Sequence, residues 1–258
     1  MDSDQNRNPG DVAEPAAPPR ARVVGVLGGM GPDATVDFMD KVIAATPAAK
    51  DQDHIAMLVD HNPAVPNRQE AILRGGTDPG PALATMARRL EAAGADFLVI
   101  PCNTAYVFAD RITAAVDVPL VSIIDVTIDA ILERCGPVAE AGVLATDGCL
   151  ESGVYQQALE AKGIAAVLPG ATVLGRVMQL INAIKGGDRS DDVRNAMRRI
   201  ADSLIERGAE AVIAGCTEIP LVLEDGDLTV PLISSTDVLA RRTVALARGD
   251  VDIAAGVF

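Results

Sequence analysis

Gly94–Tyr106 reads GADFLVIPCNTAY and Gly208–Pro220 reads GAEAVIAGCTEIP. Each segment has a Gly-Ala-acid turn, a short apolar run, and a cysteine followed by small polar residues. Both cysteines, Cys102 and Cys216, lie 8 residues after their glycine, so the copies are offset by 114 residues. In a chain of two similar lobes, both thiols would sit at corresponding strand ends and face one another across a cleft. Two facing thiols suit a reaction that needs a base and an acid on opposite sides of one carbon.

The likeness extends outward. Gly25-Val26-Leu27 recurs as Gly142-Val143-Leu144, and VPLVSIIDV from Val118 recurs as VPLISSTDV from Val230. Three matched pairs in one order, with nearly constant offset, indicate an internal duplication whose unit is a domain and not a solenoid repeat. Strands alternating with helices then give an α/β fold: two lobes, each a parallel sheet flanked by helices, related by a pseudo-twofold, with the site in the cleft between them. The expected division is a tail over 1–21, a first lobe over 22–121 plus about 234–258, and a second lobe over 122–233. The tail is rich in Asp, Asn, Pro, Ala and Glu, has no apolar period, and reads as disordered.

Of the 258 residues 49% are apolar, but aromatics are only 2% and Trp is absent, so Ala, Val, Leu and Ile must build the core. A net charge of −14 offers no basic stripe for nucleic acid or an anionic membrane. Four cysteines without disulfide spacing, no signal peptide and no apolar run near 18 residues indicate a reduced, cytoplasmic protein.

The ordered sequence begins with VVGVLGG and breaks at Gly28-Gly29-Met30-Gly31-Pro32. Pro32 favours the first turn of a helix, with Val36, Met39 and Ile43 marking its apolar face. A strand over 55–59 leads into a polar loop through Val65-Pro66-Asn67-Arg68. Further strands are predicted over 97–100, 119–123, 141–145, 164–168 and 211–214. Helices are predicted over 81–93, after Asn103, and from Asp125 to Cys135. The remaining ones span 150–162, 173–184, 191–207 and about 238–248.

The glycine turn lacks the GxGxxG and GxxxxGK[ST] spacings, which leaves close approach to a small carboxylate or simple turn chemistry. The only two histidines, His54 and His61, form no HxH or HExxH pattern and offer no closely placed set of metal ligands. Each repeated cysteine precedes the start of a helix or turn, where a positive N-terminal field favours thiolate. Cys135 and Cys149 lack repeat support: Cys135, at a helix end, reads as structural, and Cys149, in the polar turn Thr146-Asp147-Gly148-Cys149, as a pocket-lining residue without a chemical role. Arg68 and Lys185 stand out as local cations on an acidic chain; an arginine there would fork a substrate carboxylate, and a solvated surface cation is the alternative.

Taken together, GGMGP at Gly28, DQDH at Asp51, NPAVPNR at Asn62, PCNTA at Pro101, LATDG at Leu144 and GCTEIP at Gly215 resemble the aspartate/glutamate racemase superfamily, closest to its cofactor-independent aspartate racemase branch. The resemblance covers about 23–246. It implies inversion at the Cα of an acidic amino acid by Cys102 and Cys216, without pyridoxal phosphate, in a homodimer. It further implies that Asn103, Thr104 and Thr217 hold the α-carboxylate and ammonium, that Arg68 and Lys185 anchor the side-chain carboxylate, that Met30 and Thr127 line the pocket, and that Glu218 orients Cys216. Tyr106, Cys149 and Ser234-Ser235 stand where many relatives have histidine, threonine and an acid-proline pair. The alternatives are glutamate or broader substrates, other two-cysteine isomerases, a binding protein for acidic metabolites, and a dithiol redox protein.

Overall fold

The computed structural model describes residues 21–253. Residues 1–20 of the expected tail and 254–258 of the expected first lobe lie outside that range. Among the described residues, no helix is long and apolar enough to cross a membrane.

The first lobe begins with β1 (Val24–Gly28), wholly buried, followed by α1 (Pro32–Ala45) with proline in its first turn. The buried stripe of α1 is Ala34, Thr35, Phe38 and Val42. Val36 and Ile43, expected on that face, are instead exposed. After β2 (Met57–His61), the expected loop through Arg68 turns into a helix, α2 (Arg68–Arg74). Asn67 starts it by accepting from the N–H groups of Gln69 and Glu70, and Gly75, at φ 63, ends it in the left-handed region.

Next come α3 (Gly80–Ala92), β3 (Phe97–Val99), a 3-10 turn over Asn103–Phe108 and α4 (Ala109–Thr113). The strand expected at 119–123 shrinks to one bridge, Leu98 to Leu120. Ser122 accepts from Asp125 N and starts α5 (Ile123–Cys135) there, which takes the backbone out of the ladder.

The chain continues through β4 (Glu140–Leu144), α6 (Asp147–Glu151), α7 (Val154–Ala161), β5 (Ala165–Val167), α8 (Ala171–Lys185), α9 (Asp191–Ile205), β6 (Ala211–Ala214), β7 (Leu232–Ser234) and α10 (Ser235–Arg248). One helix was expected over 150–162. Gly153, at φ 72, divides it.

Both sheets are parallel, in the orders β2-β1-β3 and β5-β4-β6-β7. Their registers superimpose on the repeat. Val24 pairs with Phe97 as Ala141 pairs with Ala211. The lone Leu98–Leu120 bridge corresponds to Val212–Leu232, where the second lobe develops a full edge strand. The cysteine turns therefore leave corresponding strands, β3 and β6, at their carboxyl ends, as the duplication predicts.

One buried apolar cluster joins the faces of both sheets through α1, α5, α7 and α10, and a second packs α8 and α9 on the other face of the second sheet. Helix α10 packs against α1 and α5. The segment before β1 is tied to α10: Arg22 N and Nη1 donate to the carbonyls of Ala247 and Leu246 at 2.8 and 2.7 Å.

Candidate active site

Strand β6 delivers Cys216 into a buried turn, 5% exposed. Its thiol donates to Glu218 Oε2 at 2.9 Å. The other carboxylate oxygen, Oε1, lies 3.3 Å from Lys185 Nζ at the end of α8, an ion pair without hydrogen-bond alignment. Burial pushes the Cys216 thiol well above its ordinary value, and the Glu218 charge and the thiol's hydrogen bond push the same way against Lys185. The N-terminal field expected to favour thiolate is therefore outweighed at Cys216, first by burial and then by the negative charge of Glu218.

For Lys185, burial opposes its charge, but Glu218 first and then Cys216 and Cys102 more than offset this, and its pKa rises. Arg68 pulls the other way. Lys185 is thus within electrostatic reach of both repeated cysteines.

Cys102, 7% exposed, begins the 3-10 turn after β3. The residues that follow it bond to neutral polar groups. Thr104 Oγ1 meets Thr146 Oγ1 at 2.9 Å, and Asn103 Nδ2 donates to Ser235 Oγ at 3.1 Å. Tyr155 donates to Asn103 Oδ1 at 2.7 Å. Within the first lobe, Tyr106 donates to Val121 O at 2.5 Å and accepts from Ile100 N at 3.3 Å. Burial and then the Cys102 charge push Cys149, at the start of α6, up to about 12. All four cysteines are free thiols.

Arg68 and Lys185 border two neighbouring cavities. One, of about 230 Å³, is walled by the glycine turn, Pro63, Ile184 and Glu218; the other, of about 410 Å³, reaches Asp147, Met178 and Asn182. The thiol of Cys216 lies one hydrogen bond behind the first cavity, through Glu218. Arg68 Nη1 donates to the carbonyls of Pro66 and Val65 at 3.1 and 3.3 Å, while its buried Nε has no partner. A larger cavity, about 540 Å³, opens between α5 and α10 at Arg134, Arg241 and Arg242 and includes none of these groups.

The glycine turn serves close packing. At Gly29, φ 93, an added Cβ would come within 2.5 Å of the Asn62 backbone, and at Gly31 within 2.9 Å of Glu218 Oε1. Gly29 N donates to Thr35 Oγ1 at 2.8 Å, so this N–H is already engaged.

The fold thus gathers Glu218, Lys185 and Arg68 at the cavity, with Cys216 buried behind Glu218. Cys102, Asn103, Thr104 and Thr217 are buried and do not line it. Met30 is a core residue, and Thr127 donates to Ile123 O at 2.6 Å from a fully buried position. Among the described residues no cluster of His, Cys, Asp or Glu could hold a metal ion. Sequence reasoning missed Tyr155, Ser235 and Thr146. Thr146 stood inside the quoted LATDG stretch; Tyr155 belongs to no spacing pattern, and only the fold brings it to Asn103.

A family model described as Asp/Glu/Hydantoin racemase matches residues 27–243. A broad specificity amino-acid racemase of Bacillus subtilis is 31% identical over 227 residues, 86% of this chain and 97% of that protein. An aspartate racemase of Picrophilus torridus superposes with a TM-score of 0.75 at 29% identity, covering 88% of this chain and 94% of the other. An aspartate racemase homologue from Pyrococcus horikoshii gives 0.71 at 27% identity, over 88% and 99%. The matched span takes in both sheets and both cysteine turns, and the chain belongs to the Asp/Glu/Hydantoin racemase family.

Proposed function

We propose that the protein interconverts the enantiomers of an acidic amino acid, with aspartate preferred, by proton transfer between Cys102, Cys216 and the substrate Cα. The observation that carries this is the equivalence of the two cysteine turns at matched strand ends, joined to two cations at a cavity beside one of them. In each turnover one thiolate takes the α-proton, so that Cα–H breaks and S–H forms. The opposite thiol then protonates the other face and becomes the thiolate. The thiol–carboxylate contact at Cys216 suits the acid half of that cycle. Arg68 and Lys185 hold the side-chain carboxylate, and Asn103, Thr104, Thr217, Met30 and Thr127 shape the surroundings of the reacting carbon. No cofactor enters the scheme. The proposal includes a reducing, cytoplasmic setting, which keeps both thiols competent, and a homodimer.

A second reading, broad amino-acid specificity, is favoured by the name of the Bacillus subtilis relative and by Glu218, whose negative charge lies beside Lys185 and weakens the local preference for an anionic side chain. Purified protein incubated with single enantiomers of aspartate, glutamate, alanine and lysine, without added cofactor, separates the two by chiral chromatography. The acidic reading expects the highest kcat/KM for aspartate. Equal values across the panel would favour the broad reading, and no interconversion of any substrate would refute both.

A further inference from the structure

Tyr155, on α7, is fully buried and touches both cysteine turns. Its hydroxyl donates to Oδ1 of Asn103, which follows Cys102. Its ring edge lies against Gly215, which precedes Cys216: a Cβ built on Gly215 would come within 2.9 Å of Tyr155 Cε2. One rigid ring therefore stands between the backbone segments that carry the two thiols. A glycine at 215 is what lets the ring approach that closely.

The polar chain that starts at Tyr155 has a fixed direction. Ser235 Oγ donates to Ala214 O at 2.8 Å, which engages its single proton. It can then only accept from Asn103, so the amide nitrogen must face Ser235 and the amide oxygen must face Tyr155. Desolvation holds the Tyr155 hydroxyl well above its ordinary pKa, so it remains a donor. The chain runs from α7 to the turn after Cys102, on to the start of α10, and ends on the last residue of β6, two before Cys216. Flipping the amide would set its oxygen against the Ser235 oxygen, two acceptors facing each other, because the Ser235 proton is engaged on Ala214 O.

We infer that Tyr155 and Ser235 are positioning residues which, through Asn103 and Gly215, fix the separation of the two cysteine turns, so that proton removal on one face of the substrate stays coupled to delivery on the other. This role rests on the two-cysteine racemase chemistry proposed above. Such chemistry is sensitive to spacing. A carbanion formed at one thiol is captured with inversion only if the opposite thiol is already within proton-transfer distance. If that distance grows, the first thiol returns a proton to the same face, and solvent hydrogen enters the substrate without inversion.

The test follows a single aspartate enantiomer in D2O with wild type, Tyr155→Phe and Ser235→Ala. Inversion is read by chiral chromatography, and deuterium at Cα of the unconverted enantiomer by mass spectrometry at early conversion. Tyr155→Phe keeps the ring and removes only the hydroxyl; Ser235→Ala breaks the same chain from another helix, so a folding failure in one leaves the other informative. Misplacement of this kind lowers kcat by roughly 10- to 100-fold. KM stays within about threefold, since substrate binding is not the interaction removed. Exchange into the unconverted enantiomer, relative to inversion, should rise in both variants. Folded variants with wild-type kcat and a wild-type exchange ratio, changed only in melting temperature, would overturn the positioning role and leave the racemase reading intact. Absence of inversion in the wild type would instead remove that reading, and the positioning role with it.

Discussion

The two cysteine turns share a backbone plan and differ in their electrostatics. The residues that follow Cys102 bond an amide and hydroxyls, all neutral, whereas Cys216 itself donates to a carboxylate that is paired with an ammonium. The duplication preserved strand register to the residue, as Val24–Phe97 and Ala141–Ala211 show. It did not preserve charge. In the proposed mechanism, the geometry that brings two thiols to one carbon comes from the shared backbone. The assignment of acid and base comes from side chains that the two halves do not share, and pairs of titratable groups pushed apart by their surroundings commonly divide such roles.

Removing either thiol tests whether both halves are needed. Cys102→Ala and Cys216→Ala should each lower the rate of aspartate inversion by roughly 10³-fold or more, the loss expected for a positioned acid or base. Chiral chromatography over long incubations measures this. A smaller effect comes from the cation at the cavity. Arg68→Gln should raise KM for aspartate by about 10- to 100-fold while changing that for alanine by less than about threefold, because only the former loses a charge-assisted hydrogen bond. Steady-state kinetics on the two substrates checks it.

Glu218→Gln acts on the asymmetry directly. The carboxylate raises the Cys216 pKa through its charge and by accepting the thiol proton, and Lys185 opposes it. With an amide in its place, Cys216 should ionise at lower pH, and the limb of the pH–rate profile governed by that thiol should move toward acid; an unmoved limb would separate Glu218 from Cys216. The mildest expected effect concerns Cys149. Its folded pKa, pushed up to about 12 from 9.0, lies above its unfolded value, so the folded state retains a proton that the unfolded chain releases. Its contribution to stability is therefore fully present below about pH 9 and declines as pH rises toward 12. Denaturant melts across that range should show a shallower alkaline loss in Cys149→Ala.

Much of this was legible in the sequence for a physical reason. Repeated apolar runs ending in a cysteine specify strand ends, and a constant offset specifies a second copy of the same lobe, so the fold class and the placement of Cys102 and Cys216 at strand ends followed. Capping chemistry was read less well. Asn67 starts a helix at Arg68, and Ser122 ends a strand before it forms, because one side-chain oxygen bonding a nearby N–H outweighs a short run of β-favouring residues. On α1 the apolar residues Val36 and Ile43 face outward, while Thr35 is buried because its hydroxyl bonds Gly29 N and Gly31 O. The contacts of Tyr155 and Ser235 with Asn103 could not be read at all. The two side chains reach Asn103 from 52 and 132 residues away, a separation over which no local spacing carries information.

The pairing of Cys102 with Cys216 on opposite faces of one carbon is tested most directly by deuterium exchange in the two alanine variants. Each variant is incubated in D2O with L-aspartate and, separately, with D-aspartate, and deuterium at Cα is followed by mass spectrometry. If each thiol addresses one face, Cys102→Ala should exchange one enantiomer, Cys216→Ala should exchange the other, and neither should invert either substrate. Exchange of both enantiomers by one variant, or inversion by either, would contradict the account.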